Sequence, residues 1–197
     1  MTAQVREILI YKWKRFSMVS EPFSQYIKKN NIELRLHAPH SALRRGYIGK
    51  WEIKKNKLFL KNISGKGEIK NQNKFNHKYL DLKILIEETK PPPSIKASMI
   101  KTLENECFEE IELSIKNLFN SETKVFADWY SGTIRCPYGK LIHYVHTGYE
   151  SLYSKELLFN IKEGIIIDVK KIKNELTEQS SKHTPTPPPK PPDTFRI

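Results

Sequence analysis

The chain has 197 residues, of which 34 are Lys or Arg and 22 are Asp or Glu, for a formal net charge of +12. No segment approaches the ~20 consecutive apolar residues of a membrane-spanning helix. The first apolar run, residues 8–11, is followed by basic residues instead of being preceded by them, which is the wrong order for a secretory signal. We therefore predict a cytoplasmic protein that makes no membrane contact.

The N-terminal third reads mainly as strands. Residues 7–11 (EILIY) and 16–20 (FSMVS) flank the polar KWKR segment and predict a hairpin. A short helix with Ser20 as its N-cap follows over residues 20–31, and ELRLH (33–37) predicts a strand. The segment GYIGKWEIKKNKLFLKNI (46–63) predicts a second hairpin, because its apolar residues alternate on both sides of a Lys-Asn turn.

The middle of the chain predicts a loop, a strand and one long helix. Residues 64–77 are rich in Gly and Asn and predict a mobile loop. Residues 79–88 (YLDLKILIEE) alternate apolar and polar side chains, which is typical of a strand. After the prolines of residues 90–94, apolar residues at helical spacing predict a helix over about residues 98–120.

The C-terminal third predicts two strands around the turn CPYG (136–139), then a hairpin over residues 156–169 that turns at Glu163-Gly164. Residues 174–197 are proline-rich and nearly devoid of apolar side chains, so burial cannot offset the entropy of ordering them. We predict a single domain over residues 1–173 and a disordered tail over residues 174–197.

Together these elements predict an α+β fold. It consists of a mainly antiparallel sheet that could curl into a partial barrel, with one long helix inserted between two β-rich halves. The residues expected in the core are Trp51, Ile53, Leu82, Ile84, Trp129, Ile134, Leu157, Phe159 and Ile167.

Two segments carry a resemblance. The stretches RGYIGKWEIKKNKLFLKNI (45–63) and VFADWYSGTIRCPYGKLIHYVHTGYESLYSKELLFNIKEGIIID (125–168) resemble those of a group of small uncharacterised bacterial proteins. The resemblance implies a bacterial origin and a shared core. It implies no activity and no functional residue.

Metal binding and nucleophilic catalysis have weak support in the sequence. HAPH (37–40) and HYVH (143–146) both have the pattern H-x-x-H. In a regular strand, however, His143 and His146 would lie on opposite faces. Cys136 precedes a turn proline, and cross-strand pairing would offset it from His143. With no nucleophile elbow, phosphate-binding glycine loop or paired carboxylates, we predict no catalytic residue, metal or cofactor.

Nucleic-acid binding has stronger support. Residues 44–78 contain eleven Lys or Arg against Glu52 and Glu68, with aromatic residues interleaved, and KWKR (12–15) repeats the pattern. A basic sheet with exposed rings holds single strands by placing phosphates on cations and bases on rings. Against this, Lys, Asn and Ile are all favoured by A/T-rich codons. The candidate contact residues are Lys12, Trp13, Lys14, Arg15, Arg44, Arg45, Lys50, Lys54, Lys55 and Lys57.

The leading expectation is a non-enzymatic, cytoplasmic protein-interaction module, such as an accessory or immunity-type bacterial factor. It rests on the lack of a catalytic motif, the β-rich body and the proline-rich tail, whose x-P-x-x-P registers suit aromatic grooves. An exposed basic and aromatic face would favour nucleic acid, whereas an apolar patch with few charges would favour a protein partner. The sequence leaves the partner and the oligomeric state open.

Overall fold

A computed structural model describes residues 2–174, and in that range the chain forms ten strands and four helices. The elements in chain order are β1 Glu7–Tyr11, β2 Lys14–Met18, α1 Phe23–Lys29, β3 Leu34–Leu36, β4 Tyr47–Lys54, β5 Lys57–Lys70, α2 Gln72–Thr89, α3 Pro93–Glu106, β6 Phe108–Glu112, α4 Ile115–Phe119, β7 Val125–Phe126, β8 Gly132–His143, β9 Leu152–Lys162 and β10 Ile165–Lys173. No helix within these residues combines the length and apolarity needed to cross a membrane.

The main sheet is nearly closed into a barrel. Its strand order is β2-β1-β4-β5-β10-β9-β8, and β3, β6 and β7 each pair with β5. β1 and β4 run parallel, whereas the other strand pairs are antiparallel. The two end strands approach each other, since the backbone N–H of Val19, just after β2, donates to the Arg135 carbonyl of β8 at 3.0 Å. The predicted α+β, mainly antiparallel and barrel-like architecture is confirmed.

The barrel interior holds the hydrophobic core. Alternation along each strand sends one set of side chains inward, and Leu9, Trp51 and Phe159 are fully buried. The predicted core residues that the structure confirms are Trp51, Ile53, Trp129, Ile134, Leu157 and Phe159. The three predicted hairpins β1–β2, β4–β5 and β9–β10 are also confirmed. The short helix is confirmed as α1, but its predicted N-cap is wrong, because Pro22 and not Ser20 holds that position and no side chain caps the helix.

The predicted strand over residues 79–88 is wrong, because this segment lies within α2. Phe75, Tyr79, Leu82 and Ile86 also follow helical spacing, so the alternating pattern is ambiguous. The Asn71 side chain caps the helix by accepting a hydrogen bond from the Lys74 backbone N–H at 3.0 Å. Leu82 and Ile84 are consequently absent from the core.

The predicted long helix over residues 98–120 is also wrong. Helix α3 ends at Glu106, and β6 then pairs with β5, which extends through the first half of the predicted loop over residues 64–77, while α2 takes up the second half. The fourth helix, α4, starts separately, capped by the Ser114 hydroxyl, which accepts from the Asn117 N–H at 3.0 Å. Cross-strand pairing along β5 therefore overrides the helical periodicity of residues 108–112.

Two further corrections concern β8 and β10. Residues 136–139 do not turn, because β8 continues through them with Pro137 opposite Glu156 of β9. Ile167 is 66% exposed, because the pairing register of β10 shifts between Ile166 and Asp168 and turns the side chain outward. The predicted disordered tail lies outside the described residues, apart from Asn174, and the single-domain division stays a prediction.

Candidate functional site

Two hairpin turns meet at one end of the sheet. Because β1 and β4 run parallel, with Tyr11 opposite Ile53, the turns that follow them lie side by side. Lys12–Trp13 forms the first turn and Lys55–Asn56 the second, and all four residues have positive φ. Two-residue turns with positive φ at both positions match the twist of the strands that they connect.

Trp13 occupies a conformation that suits it poorly. Its φ is 65° and that of Lys12 is 48°, whereas turns of this kind favour Asn and Gly because a Cβ is crowded there. The Trp13 side chain is 96% exposed, so packing does not compensate for the backbone conformation. Backbone strain of this kind is concentrated at functional positions. The turn therefore exposes the indole ring at a strained position.

Cations surround this ring. We define the turn face as the end of the sheet formed by Lys12, Trp13, Lys14, Arg15, Lys54, Lys55 and Lys57. None of its six cations forms an ion pair with a carboxylate in residues 2–174. The turn face therefore offers positive charge that the described part of the molecule does not neutralise.

Clefts lie on both sides of Trp13. One, of about 280 Å³, runs between the two turns and includes Tyr11 and Asn56. The other is broader, about 620 Å³, and adds Lys61 and Lys124. Glu52 lines both clefts. Its pKa is lowered mainly by a hydrogen bond from the Lys124 ammonium group, and Lys61 Nζ lies 4.0 Å from its Oε1. Glu52 thus stays ionised but is offset by its lysine neighbours.

The other predicted contact residues lie elsewhere. Lys50 is in the middle of β4, between Ile8 and Asn62 of the neighbouring strands. Arg44 and Arg45 precede β4 and therefore lie at the opposite end of that strand from Lys54. Seven of the ten predicted residues, those of the turn face, are brought together, and these three are not.

Arg45 instead belongs to a buried polar cluster. Its Nε lies 3.5 Å from Glu7 Oε1, its Nη1 lies 3.7 Å from Glu21 Oε1, and the same Nη1 donates to Tyr149. Trp51 Nε1 donates to Glu7. Burial raises the pKa of Glu7 to about 7, opposed by the Trp51 hydrogen bond and the Arg45 charge.

This cluster explains a glycine of the GYIGKWEI segment. A Cβ on Gly49 would lie 2.2 Å from Glu7 Oε2 and 2.6 Å from Trp51 Nε1. Any side chain at that position would therefore displace the carboxylate from the indole N–H. Glu7 is 1% exposed, so the cluster supports the barrel from inside and does not face a ligand.

The cysteine and histidine candidates do not assemble. Cys136 is fully buried, and burial raises the pKa of its thiol to about 12, so the reactive thiolate is scarce at neutral pH. His143 lies farther along the same strand, opposite Leu152. Within residues 2–174, no group of three or more His, Cys, Asp or Glu side chains is placed to hold a metal ion.

A second exposed surface lies on the helical hairpin formed by α2 and α3. No residue of α2 is buried, and Leu80, Ile84 and Ile95 are all more than half exposed. The base of the hairpin is fastened to the body, where Asn71 N–H donates to the Cys107 carbonyl at 2.8 Å. The described part of the chain therefore leaves more than half of each of these apolar side chains open to solvent.

The residues of the turn face were among those predicted from the sequence, but the adjacency of its two turns was not. Each hairpin was visible locally, whereas the parallel pairing of β1 and β4 joins strands that are distant in sequence. The inward position of Glu7 had a signal, because Glu7 alternates with Leu9 and Tyr11 along β1. No sequence pattern indicated that the lysines at positions 116 and 124 would border the broader cleft.

The chain was compared with protein families, curated proteins and solved structures. None of the three comparisons finds a match.

Proposed function

We propose that this protein binds single-stranded nucleic acid through the turn face, with one base stacked on Trp13 and phosphates held by the surrounding lysines. The observation that carries the proposal is the 96% exposure of Trp13 in a turn that disfavours it, among cations that form no ion pair with a carboxylate of residues 2–174. Base–aromatic stacking contributes roughly 1–3 kcal/mol per base and is tolerant of sequence.

The exposed ring favours a single strand over a duplex. In a duplex each base face is covered by its neighbours, whereas an unpaired strand can turn a base onto an aromatic side chain. Lys12, Lys54 and Lys55 flank the ring and carry flexible point charges, which suit phosphates and do not read base edges. The proposed binding is therefore strong at low salt and weakly dependent on sequence.

The test is the anisotropy of fluorescent DNA and RNA oligonucleotides titrated with the protein at several salt concentrations. Replacing Lys54 and Lys55 by Gln should weaken binding and reduce the slope of log K against log salt by roughly 1.4, since each phosphate contact contributes about 0.7 for a single strand. Duplexes of equal length should bind less tightly.

Lys28 and Lys29 provide a matched control. They form another adjacent, exposed pair without an ion pair in the described residues, and they lie at the end of α1, a helix that contributes no residue to either cleft beside Trp13. If Gln at positions 28 and 29 weakens binding as much as Gln at positions 54 and 55, the lysines act only through net charge and the proposed site is wrong. Absence of binding at moderate salt would refute the function itself.

A protein-interaction module remains a second proposal, supported by the exposed apolar side chains of the α2–α3 hairpin. Exposed apolar patches are typical of surfaces that other proteins cover. We propose a cytoplasmic accessory or immunity-type factor on this basis, in a bacterial protein of the group that the sequence resembles. A protein captured by the wild type but lost with Leu80→Glu and Ile84→Lys, and retained with the Lys54 and Lys55 variant, would support it.

A further inference from the structure

We infer that a third cleft, at the open mouth of the barrel, takes the base next to the one stacked on Trp13. This inference rests on the proposed function and extends it from a single stacking residue to a path for the strand. The cleft measures about 330 Å³ and lies between the β1–β2 hairpin on one side and β8, β9 and β10 on the other. We call it the mouth cleft.

The sheet topology explains why the barrel is open here. β10 pairs with β5 at a single position, Ile165 opposite Lys57, and then continues along β9 alone. The inward side chains of the later part of β10, Val169 among them, are therefore not covered by a neighbouring strand on that side. An opening into the apolar interior results.

The walls of the mouth cleft are aromatic and its floor is apolar. Tyr11, Phe16 and Tyr138 line it, and all three are partly exposed, whereas Leu157 is buried beneath them. Phe16 and Tyr138 meet edge to face, with ring centroids 6.0 Å apart. Partly exposed rings over an apolar floor suit a flat aromatic ligand, which gains contact area without leaving a polar group unpaired.

Cations stand at the rim. Lys12, Lys14 and Lys171 border the mouth cleft and are exposed, and none forms an ion pair with a carboxylate in the described range. An aromatic interior with a cationic rim matches a nucleotide, which joins a flat base to an anionic phosphate. An uncharged apolar ligand would not use the lysines.

The mouth cleft is next to the site at Trp13. Tyr11 and Lys12 line both this cleft and the cleft between the two turns. A strand that crosses the β1–β2 turn would therefore place one base on Trp13 and the next in the mouth cleft. Lys12 would then lie beside the phosphate that connects the two nucleotides.

Photo-crosslinking tests the inference directly. Oligonucleotides containing 5-iodouracil are irradiated on the full chain, and the adducts are mapped by mass spectrometry. The inference predicts adducts on Tyr138 or Phe16 as well as on Trp13. Phe16→Leu should weaken binding of an eight-nucleotide oligothymidylate at least fivefold, which corresponds to losing one stacked base.

Lys171→Gln serves as a second variant that changes no packed side chain, and it should weaken the same binding about twofold to tenfold. Adducts on Trp13 alone, with both variants binding like the wild type, would overturn the mouth cleft as a base site and leave the proposed function standing. No adduct and no measurable binding in the wild type would overturn both.

Discussion

At position 13, the proposed function requires an aromatic side chain, whereas stability would favour glycine. The Trp13 backbone is in the left-handed region and its side chain is almost fully exposed. Trp13→Gly should therefore raise the free energy of unfolding by about 0.5–1 kcal/mol, because glycine adopts this conformation without steric cost. The same change should weaken oligonucleotide binding roughly fivefold or more.

Urea denaturation and anisotropy on the same preparation check this prediction. A loss of more than about 1 kcal/mol in the variant would mean that the indole ring packs against the protein in solution. Unchanged binding would mean that no base stacks there.

Glu7 makes stability depend on pH. Its pKa is about 4.5 in the unfolded chain and is raised to about 7 by burial in the folded one. Between these values the folded state binds more protons at this carboxyl, so the contribution of Glu7 to stability is fully present below about pH 4.5 and is lost as pH rises towards 7. The full shift corresponds to a contribution on the order of 3 kcal/mol.

Glu7→Gln tests this contribution, because the amide oxygen can still accept the Trp51 hydrogen bond while the group no longer titrates. The loss of stability between pH 5 and pH 7.5, measured by urea denaturation, should be smaller in the variant than in the wild type. Equal losses in the two proteins would show that Glu7 does not ionise in this range.

At the scale of elements, the α2–α3 hairpin should be separable from the barrel. β5 and β6 pair up to Lys70 and Phe108, and Asn71 N–H reaches the Cys107 carbonyl, so the chain on either side of the hairpin is already close. Replacing residues 72–106 by Asn-Gly should cost no more than about 2 kcal/mol, mainly from the lost burial of Leu103.

Thermal unfolding of this deletion variant checks the prediction, with oligonucleotide binding as the second readout. Binding should be unchanged, because the turn face lies on other elements. Failure of the deletion variant to fold would show that the hairpin belongs to the core of the structure.

Elements formed by neighbouring segments were predictable, whereas those fixed by distant partners were not. The β4–β5 and β9–β10 hairpins carry their turn signals and alternation in one short stretch, and both are confirmed. β6 and the extension of β5 exist because they pair with each other across the inserted hairpin, which no local pattern of residues 108–112 shows. The same holds for the turn face. Each of its two turns is predictable from a short segment, but their adjacency depends on the pairing of β1 with β4.

At the scale of the whole molecule, aromatic side chains join helices α1 and α4 to the barrel. Trp129 is 8% exposed, stacks on Phe119 of α4 with ring centroids 5.6 Å apart, and donates to the Pro22 carbonyl at 3.3 Å. Trp129→Ala should cost about 3–5 kcal/mol through lost contacts and a cavity. A urea midpoint equal to that of the wild type would contradict this role.

The most direct test of the central claim, that a base stacks on Trp13, is iodide quenching of tryptophan fluorescence with and without oligothymidylate. Trp51 and Trp129 are 0% and 8% exposed, so iodide reports mainly on Trp13, and Trp13→Phe is the control that retains an aromatic ring. We predict that saturating oligonucleotide protects the wild type from iodide, while the control binds nucleic acid with little change in its quenching. Continued full access of iodide to Trp13 in the saturated complex would contradict the proposed site.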